Sequence, residues 1–186
     1  MAPHPSLGPV PAGHDAATYA RLRRRVLWSM PTGLYVVGSR AGDTRNLMTL
    51  SWATQLALEP KLVGISVERQ ALTHRLVADG GTFSLCLIDR EDRTMVRKFV
   101  KPLSETEPGA PGQPDGSSLG GFAVHQESTG APVLDRALAW LDCEVRQTVL
   151  LGTHSLFVGE VVDAGFAKAE DGPVLRMEDT RMSYGG

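Results

Sequence analysis

Residues 34–39, Leu-Tyr-Val-Val-Gly-Ser, and residues 46–55, Asn-Leu-Met-Thr-Leu-Ser-Trp-Ala-Thr-Gln, face each other in sequence across Ala41-Gly42-Asp43. β-branched and aromatic runs joined by turn residues read as an antiparallel strand pair. The texture then recurs. Residues 62–68 follow the break at Glu59-Pro60, residues 82–88 follow Gly80-Gly81, and residues 154–162 follow Gly152. Leu141, Cys143 and Val145 alternate with Asp142, Glu144 and Arg146, which predicts a strand with one wet face. Residues 173–177 supply a last short strand. Many strands joined by tight turns predict a mainly β chain, an antiparallel Greek-key-like barrel with a few short helices.

The helices are brief. Asp15 reads as an N-cap ahead of Tyr19, Leu22, Val26 and Met30 at helical spacing, and Pro31 ends that run. Thr73 is expected to cap a helix over 75–79, and Asp89 one whose Met95, Val96 and Phe99 share a face. No alternating βαβα order with a glycine-rich turn occurs, which argues against a dinucleotide-binding doubly wound sheet. The glycine-rich stretch 109–116 neither follows a strand nor opens a helix.

At 186 residues with 42% apolar composition, the chain has enough for one core. Residues 1–15, rich in Pro and Gly, are expected to be a disordered leader, and 16–186 a single domain. Residues 101–121 turn to Pro, Gly, Ser and Asp without periodicity, a long loop, and residues 178–186 form a polar tail. The formal net charge of -2 argues against nucleic-acid or anionic-membrane partners, and the four arginines within 21–25 read as a solvated helix face. Cys86 and Cys143 sit in apolar runs without metal-ligand spacing, as expected of buried thiols in a reducing cytoplasm. The first residues lack the apolar core of a signal peptide, and no run approaches the ~20 apolar residues that span a bilayer.

Chemistry concentrates in a few places. Thr49, Ser51 and Thr54 line up hydroxyls along the second strand, with Trp52 and Met48 beside them. Alternation puts Thr49 and Ser51 on one face, so the strand offers a phosphate anchor and a flat apolar slot together. The same residues also suit an ordinary pleated strand with Trp52 in the core. Arg69 and Thr73 sit where a strand passes into a helix, a place that holds anions or merely caps the helix. Lys98-Phe99 offers a cation and an aromatic edge. His154, just after Gly152-Thr153, is the ionisable group best placed for chemistry, although a turn histidine reads the same way. His4 and His14 lie in the leader, and His74 and His125 have no evident carboxylate partner. No metal-ligand spacing and no nucleophile-histidine-acid order occurs. The absence suits hydride transfer between flat rings, which needs alignment rather than a dedicated acid, base or nucleophile.

The ordered pieces Met30-Pro31-Thr32-Gly33, Asn46-Leu47-Met48-Thr49 with Ser51-Trp52, Leu58-Glu59-Pro60, Thr73-His74, Gly81-Thr82-Phe83 and Gly152-Thr153-His154 before Phe157-Val158-Gly159-Glu160-Val161 cover most of the chain. In order and spacing the chain resembles the flavin reductase-like family, whose fold is the FMN-binding split barrel. That resemblance implies a homodimer binding FMN, or FAD, and taking hydride from NADH or NADPH. It also implies delivery of reduced flavin to a partner monooxygenase. Carried over by position, flavin contacts fall on Arg45, Asn46, Leu47, Met48, Thr49, Ser51 and Trp52, on Ser66, Val67 and Glu68, on Leu72 and Thr73, and on Lys98 and Phe99. Nicotinamide contacts fall on Gly152, Thr153, His154 and Ser155, with His154 nearest the hydride path. The family commonly reads Gly-Asp-His where this chain has Gly152-Thr153-His154. Two rivals follow: an electron carrier without a nicotinamide site, and a non-enzymatic split barrel holding haem or another flat ligand.

Overall fold

The computed structural model describes residues 9–101, 118–180 and 182. The expected leader over 1–8, the loop segment 102–117 and the tail residues 181 and 183–186 lie outside them. The elements are α1 (Ala16–Trp28), β1 (Tyr35–Ala41), β2 (Thr44–Leu50), β3 (Ala53–Ala57), β4 (Leu62–Glu68), α2 (Leu72–Gly80) and β5 (Thr82–Leu87). They continue with α3 (Thr94–Lys98), β6 (Ser118–Leu119), β7 (Phe122–Gln126), β8 (Pro132–Leu134), β9 (Ala139–Leu151) and β10 (His154–Phe166), then a 3₁₀ turn, Met177–Asp179. Among the described residues, the main sheet runs β2-β1-β5-β9-β10-β4-β3, and β6-β7-β8 form a smaller one. All pairings are antiparallel.

Alternation along the strands builds two cores. Val37, Leu85, Cys143, Ile65 and Phe157 fill one, inside the curved main sheet. Val36, Cys86, Met95, Val96, Phe99, Leu134 and Leu175 fill the other, between that sheet and the smaller one with α3. Adjacent residues such as Val36 and Val37 thus serve opposite faces, as a two-sided strand requires.

The two edge strands of the main sheet, β2 and β3, are consecutive in the chain yet do not pair with each other. The expected single strand over 46–55 therefore breaks at Ser51-Trp52. β2 follows β1 residue for residue, from Tyr35 opposite Leu50 to Ala41 opposite Thr44. Past the corner, β3 pairs with β4, and the Ser66 amide donates to the Trp52 carbonyl at 2.9 Å. The barrel stays open along this seam.

Several local expectations are corrected. α1 starts as read, with Asp15 accepting from the Thr18 amide at 2.9 Å, but it ends at Trp28, before Pro31. None of its residues is buried, so Leu22, Val26 and Met30 form an exposed apolar stripe rather than a core face. The N-cap of α2 is Ala71; Thr73 lies inside the helix, buried, accepting from the Asn46 side-chain amide at 2.9 Å. Asp89 caps no helix. Its carboxylate takes the Glu91 amide and the Lys168 ammonium, both at 3.0 Å, while α3 begins at Thr94. Asp142 is fully buried instead of wet, because the Thr129 amide and hydroxyl both donate to it. Residues 173–177 make isolated bridges, Gly33 to Arg176 and Asp89 to Val174, not a strand. Cys86 and Cys143 are free and buried, and burial pushes their thiols up to about 11 and about 12. No helix among the described residues is long and apolar enough to cross a membrane.

Candidate functional site

A cavity of about 360 Å³ opens at the seam. Asn46, Leu47, Met48, Thr49, Leu50 and Ser51 form one wall as β2 runs into the corner. Ser66 and Glu68 from the end of β4, and Gln70, Ala71, Leu72 and Thr73 from the start of α2, form another. Leu34, Phe99, Val100, Met177 and Met182 complete it. The volume falls within the range of small-molecule sites.

Its polar groups differ in how far they are committed. The Thr49 hydroxyl donates to the Val96 carbonyl at 2.6 Å, and its amide donates to the Phe99 carbonyl at 2.9 Å, which docks α3 against β2. The Thr73 hydroxyl is held by Asn46. Ser51 differs: only 4% exposed, it has a buried hydroxyl with no hydrogen-bond partner among the described residues. An unpaired buried hydroxyl costs about 1–3 kcal/mol. The first turn of α2 lines the same cavity, and no cap side chain accepts from its N–H groups, which leaves a helix start of the kind that suits an anion. Met48, Leu50, Phe99 and Met177 give the apolar surface that a flat ring needs. Hydroxyl, helix terminus and apolar slot in one cleft fit a flavin and its phosphate.

The β9–β10 turn lies one strand away. Gly152 adopts φ +59°, which opens a two-residue turn that L side chains adopt with strain. The register sets His154 opposite Glu68, and the Arg69 amide donates to the Thr153 carbonyl at 2.9 Å. The Thr153 hydroxyl and His154 Nδ1 are 2.8 Å apart, and the His154 ring lies 4.9 Å from that of Trp52, tilted by 51°. Burial lowers the His154 pKa below the ordinary histidine value, against the opposing pull of Glu68. A neutral ring at the mouth of the seam presents a flat face without a competing charge.

Of the residues expected at the site, the cavity gathers Asn46, Leu47, Met48, Thr49, Ser51, Ser66, Glu68, Leu72, Thr73 and Phe99. Arg45, Val67 and Lys98 stand next in sequence to lining residues but are not part of the lining; Val67 is core. Gly152, Thr153 and His154 stand outside its lining, and Ser155 is buried against His74. Trp52 lines a second cavity of about 340 Å³ together with the C-terminal end of α1 and Met177. Thr54 lies on another groove altogether. Leu34, Leu50, Gln70, Ala71, Val100, Met177 and Met182 also line the seam cavity, outside the site residues expected from sequence. Gln70 and Ala71 fill the gap between Arg69 and Leu72, and Val100 follows Phe99 directly; Met177 ends the expected last strand, and Met182 lies in the polar tail. His125 does have carboxylate partners, Asp135 at 2.6 Å and Glu127 at 3.4 Å, reached through the β7–β8 pairing.

The sequence pattern of the flavin reductase like domain matches residues 27–185. The chain belongs to that family. Among curated relatives, the High molecular weight rubredoxin of Moorella thermoacetica is 31% identical over 144 residues, 75% of this chain and 58% of the relative. The NADH-dependent FAD reductase of Streptomyces globisporus is 30% identical over 149 residues, 80% of this chain and 78% of the relative. The chain spans less than two thirds of several relatives, only 23% of Diflavin flavoprotein A 1 of Synechocystis sp.. Among solved structures, the Streptomyces globisporus C-1027 NADH:FAD oxidoreductase superposes with a TM-score of 0.72 at 25% identity, covering 96% of this chain and 98% of that one. The Styrene Monooxygenase Flavin Reductase from Pseudomonas putida S12 gives 0.65 at 26% identity, covering 79% and 88%. The mainly β, split-barrel fold expected from the sequence is the fold of these proteins.

Proposed function

We propose that the chain is an NAD(P)H-dependent flavin oxidoreductase that binds FMN or FAD in the seam cavity and passes reduced flavin to a monooxygenase. The observation that carries this reading is that Ser51, whose buried hydroxyl has no partner among the described residues, lines a cavity that the start of α2 also lines. Membership in the family and the reductase named in Streptomyces globisporus support it. The monooxygenase reductase of Pseudomonas putida supports the choice of partner.

When bound, the flavin supplies a ring that accepts hydride, and the nicotinamide supplies the hydride. The chain's own work is to bind and align. Ser51 and the α2 terminus hold the anionic end, with Thr49 and Thr73 fixing the walls through bonds to Val96 and Asn46. Met48, Phe99 and Met177 exclude water from the apolar slot. Trp52 and His154, their rings tilted by 51°, would hold a nicotinamide beside the slot, with Gly152 and Thr153 shaping the edge. Arg45 and Lys98 stay near enough in sequence to the walls to contact the parts of the cofactor that leave the cavity. The protein is further read as cytoplasmic, and as a homodimer because Val26 in α1 and Met30 just beyond it are 61% and 62% exposed.

Mixing flavin-loaded protein with NADH or NADPH under anaerobic conditions tests the reading. Flavin absorbance near ~450 nm, a general property of the cofactor, bleaches within seconds; no bleaching with either donor overturns it. An electron carrier without a nicotinamide site is the second reading, favoured by Thr153 where the family commonly has an acid. Replacing His154 by alanine separates the two: a reductase oxidises NADH more slowly while keeping its flavin affinity.

A further inference from the structure

The first turn of α2 is tied on both sides. Thr73 is fixed to the cavity wall by Asn46, and the next residue, His74, reaches the other way: its Nε2 lies 2.8 Å from the Ser155 hydroxyl. Ser155 is completely buried and follows His154 directly. The His74 ring also packs 5.1 Å from Phe157, two residues further along β10. Together with the bond from the Arg69 amide to the Thr153 carbonyl, this clamps the β9–β10 turn to the start of α2 at two points.

Resting on the reductase reading, we propose that His74 is a positioning residue: through Ser155 it sets the 152–155 turn, and with it His154, at the height above the cavity where a nicotinamide docks. The physical reason lies in the alternatives. Turns fray unless held, and Ser155 sits at the first paired residues of a hairpin with Leu150 and Leu151 exposed at its tip. A buried serine without its partner would leave an unsatisfied hydroxyl, so the bond is strongly preferred to its loss. Burial, aided by the nearby Arg69 charge, lowers the His74 pKa, and the neutral ring keeps one nitrogen as donor and one as acceptor. Either tautomer can satisfy Ser155.

Three variants test this. His74→Phe keeps the ring against Phe157 and removes both nitrogens. His74→Gln restores a polar group at a similar reach. Ser155→Ala removes the other partner with little change in volume and serves where His74→Phe fails to fold. In flavin-free protein, hydrogen exchange of the Arg69 amide, which reports the turn through Thr153, speeds about tenfold in His74→Phe and Ser155→Ala and stays near wild type in His74→Gln. In loaded protein the KM for NADH rises about 5- to 10-fold in the same two variants, with kcat and flavin affinity within about twofold and His74→Gln rescuing. Unchanged exchange in Ser155→Ala, or His74→Gln as impaired as His74→Phe, overturns the proposal. So does an NADH KM that rises only in step with flavin loss. A wild type that oxidises no nicotinamide defeats the reductase reading instead, while the exchange measurement still judges the clamp.

Discussion

Ser51 and Ser39 are both buried serines whose hydroxyls lack partners among the described residues, but only Ser51 lines the cavity. The pair makes an internal comparison. Removing a hydroxyl that bonds nothing in the unliganded protein costs no protein–protein bond and relieves a desolvated polar atom. Ser51→Ala is therefore expected to leave the melting temperature unchanged or slightly higher while weakening flavin binding about tenfold, the worth of one hydrogen bond to an anionic group. Ser39→Ala should leave flavin affinity alone. Fluorescence titration with FMN and FAD, beside thermal unfolding of each variant, checks both. A Ser51→Ala protein with wild-type affinity would deny the hydroxyl its role. Residues of this kind were legible in sequence as types but not as states. Thr49, Ser51 and Thr54 look alike in the string; the fold spends Thr49 on Val96, sends Thr54 to another groove, and leaves the buried Ser51 hydroxyl without a partner among the described residues.

At the scale of elements, α2 decides whether the cavity has a second wall. It lies against β1, and at Gly80 a Cβ would run into the Arg40 backbone carbonyl. The neighbouring Gly81 closes the helix at φ +69° with open space around it. The two glycines are thus needed for different reasons, and the magnitudes separate them. Gly81→Ala meets only left-handed backbone strain, about 1 kcal/mol. Gly80→Ala forces a helix off rigid backbone and is expected to cost about 2–4 kcal/mol. Because Ala71, Leu72 and Thr73 line the cavity, it should also weaken flavin binding, which Gly81→Ala should not. Denaturant unfolding and flavin titration of the two variants give the ranking; equal costs would contradict the packing. The sequence located Gly80-Gly81 and most strand bounds because turns and alternation are local. It could not reveal the break at Ser51-Trp52, since that corner is made by Ser66, a residue on another strand. Asp142 was misjudged for the same reason: alternation marked it as wet, and a distant threonine made burial tolerable.

For the whole molecule, the unanswered surface is α1. Its Leu22, Val26 and Leu27 are exposed along with Trp28 and Met30, yet the helix contributes nothing buried to either core. A three-turn helix with none of its residues buried draws little from tertiary packing and is marginal in water, because nucleation costs outweigh propensity at that length. It persists more readily when a second surface covers the stripe, and a twofold partner presents the same stripe in return. Exchanging Leu22 and Val26 together for glutamate places charge on that stripe while touching no core residue. Sedimentation velocity should find the wild type as a dimer and the double variant as a monomer, with unchanged β-sheet signal in circular dichroism. A wild type that sediments as a monomer at every concentration would remove the homodimer. A double variant that stays dimeric would move the interface away from α1, toward other exposed apolar residues such as Leu150, Leu151 and Phe166.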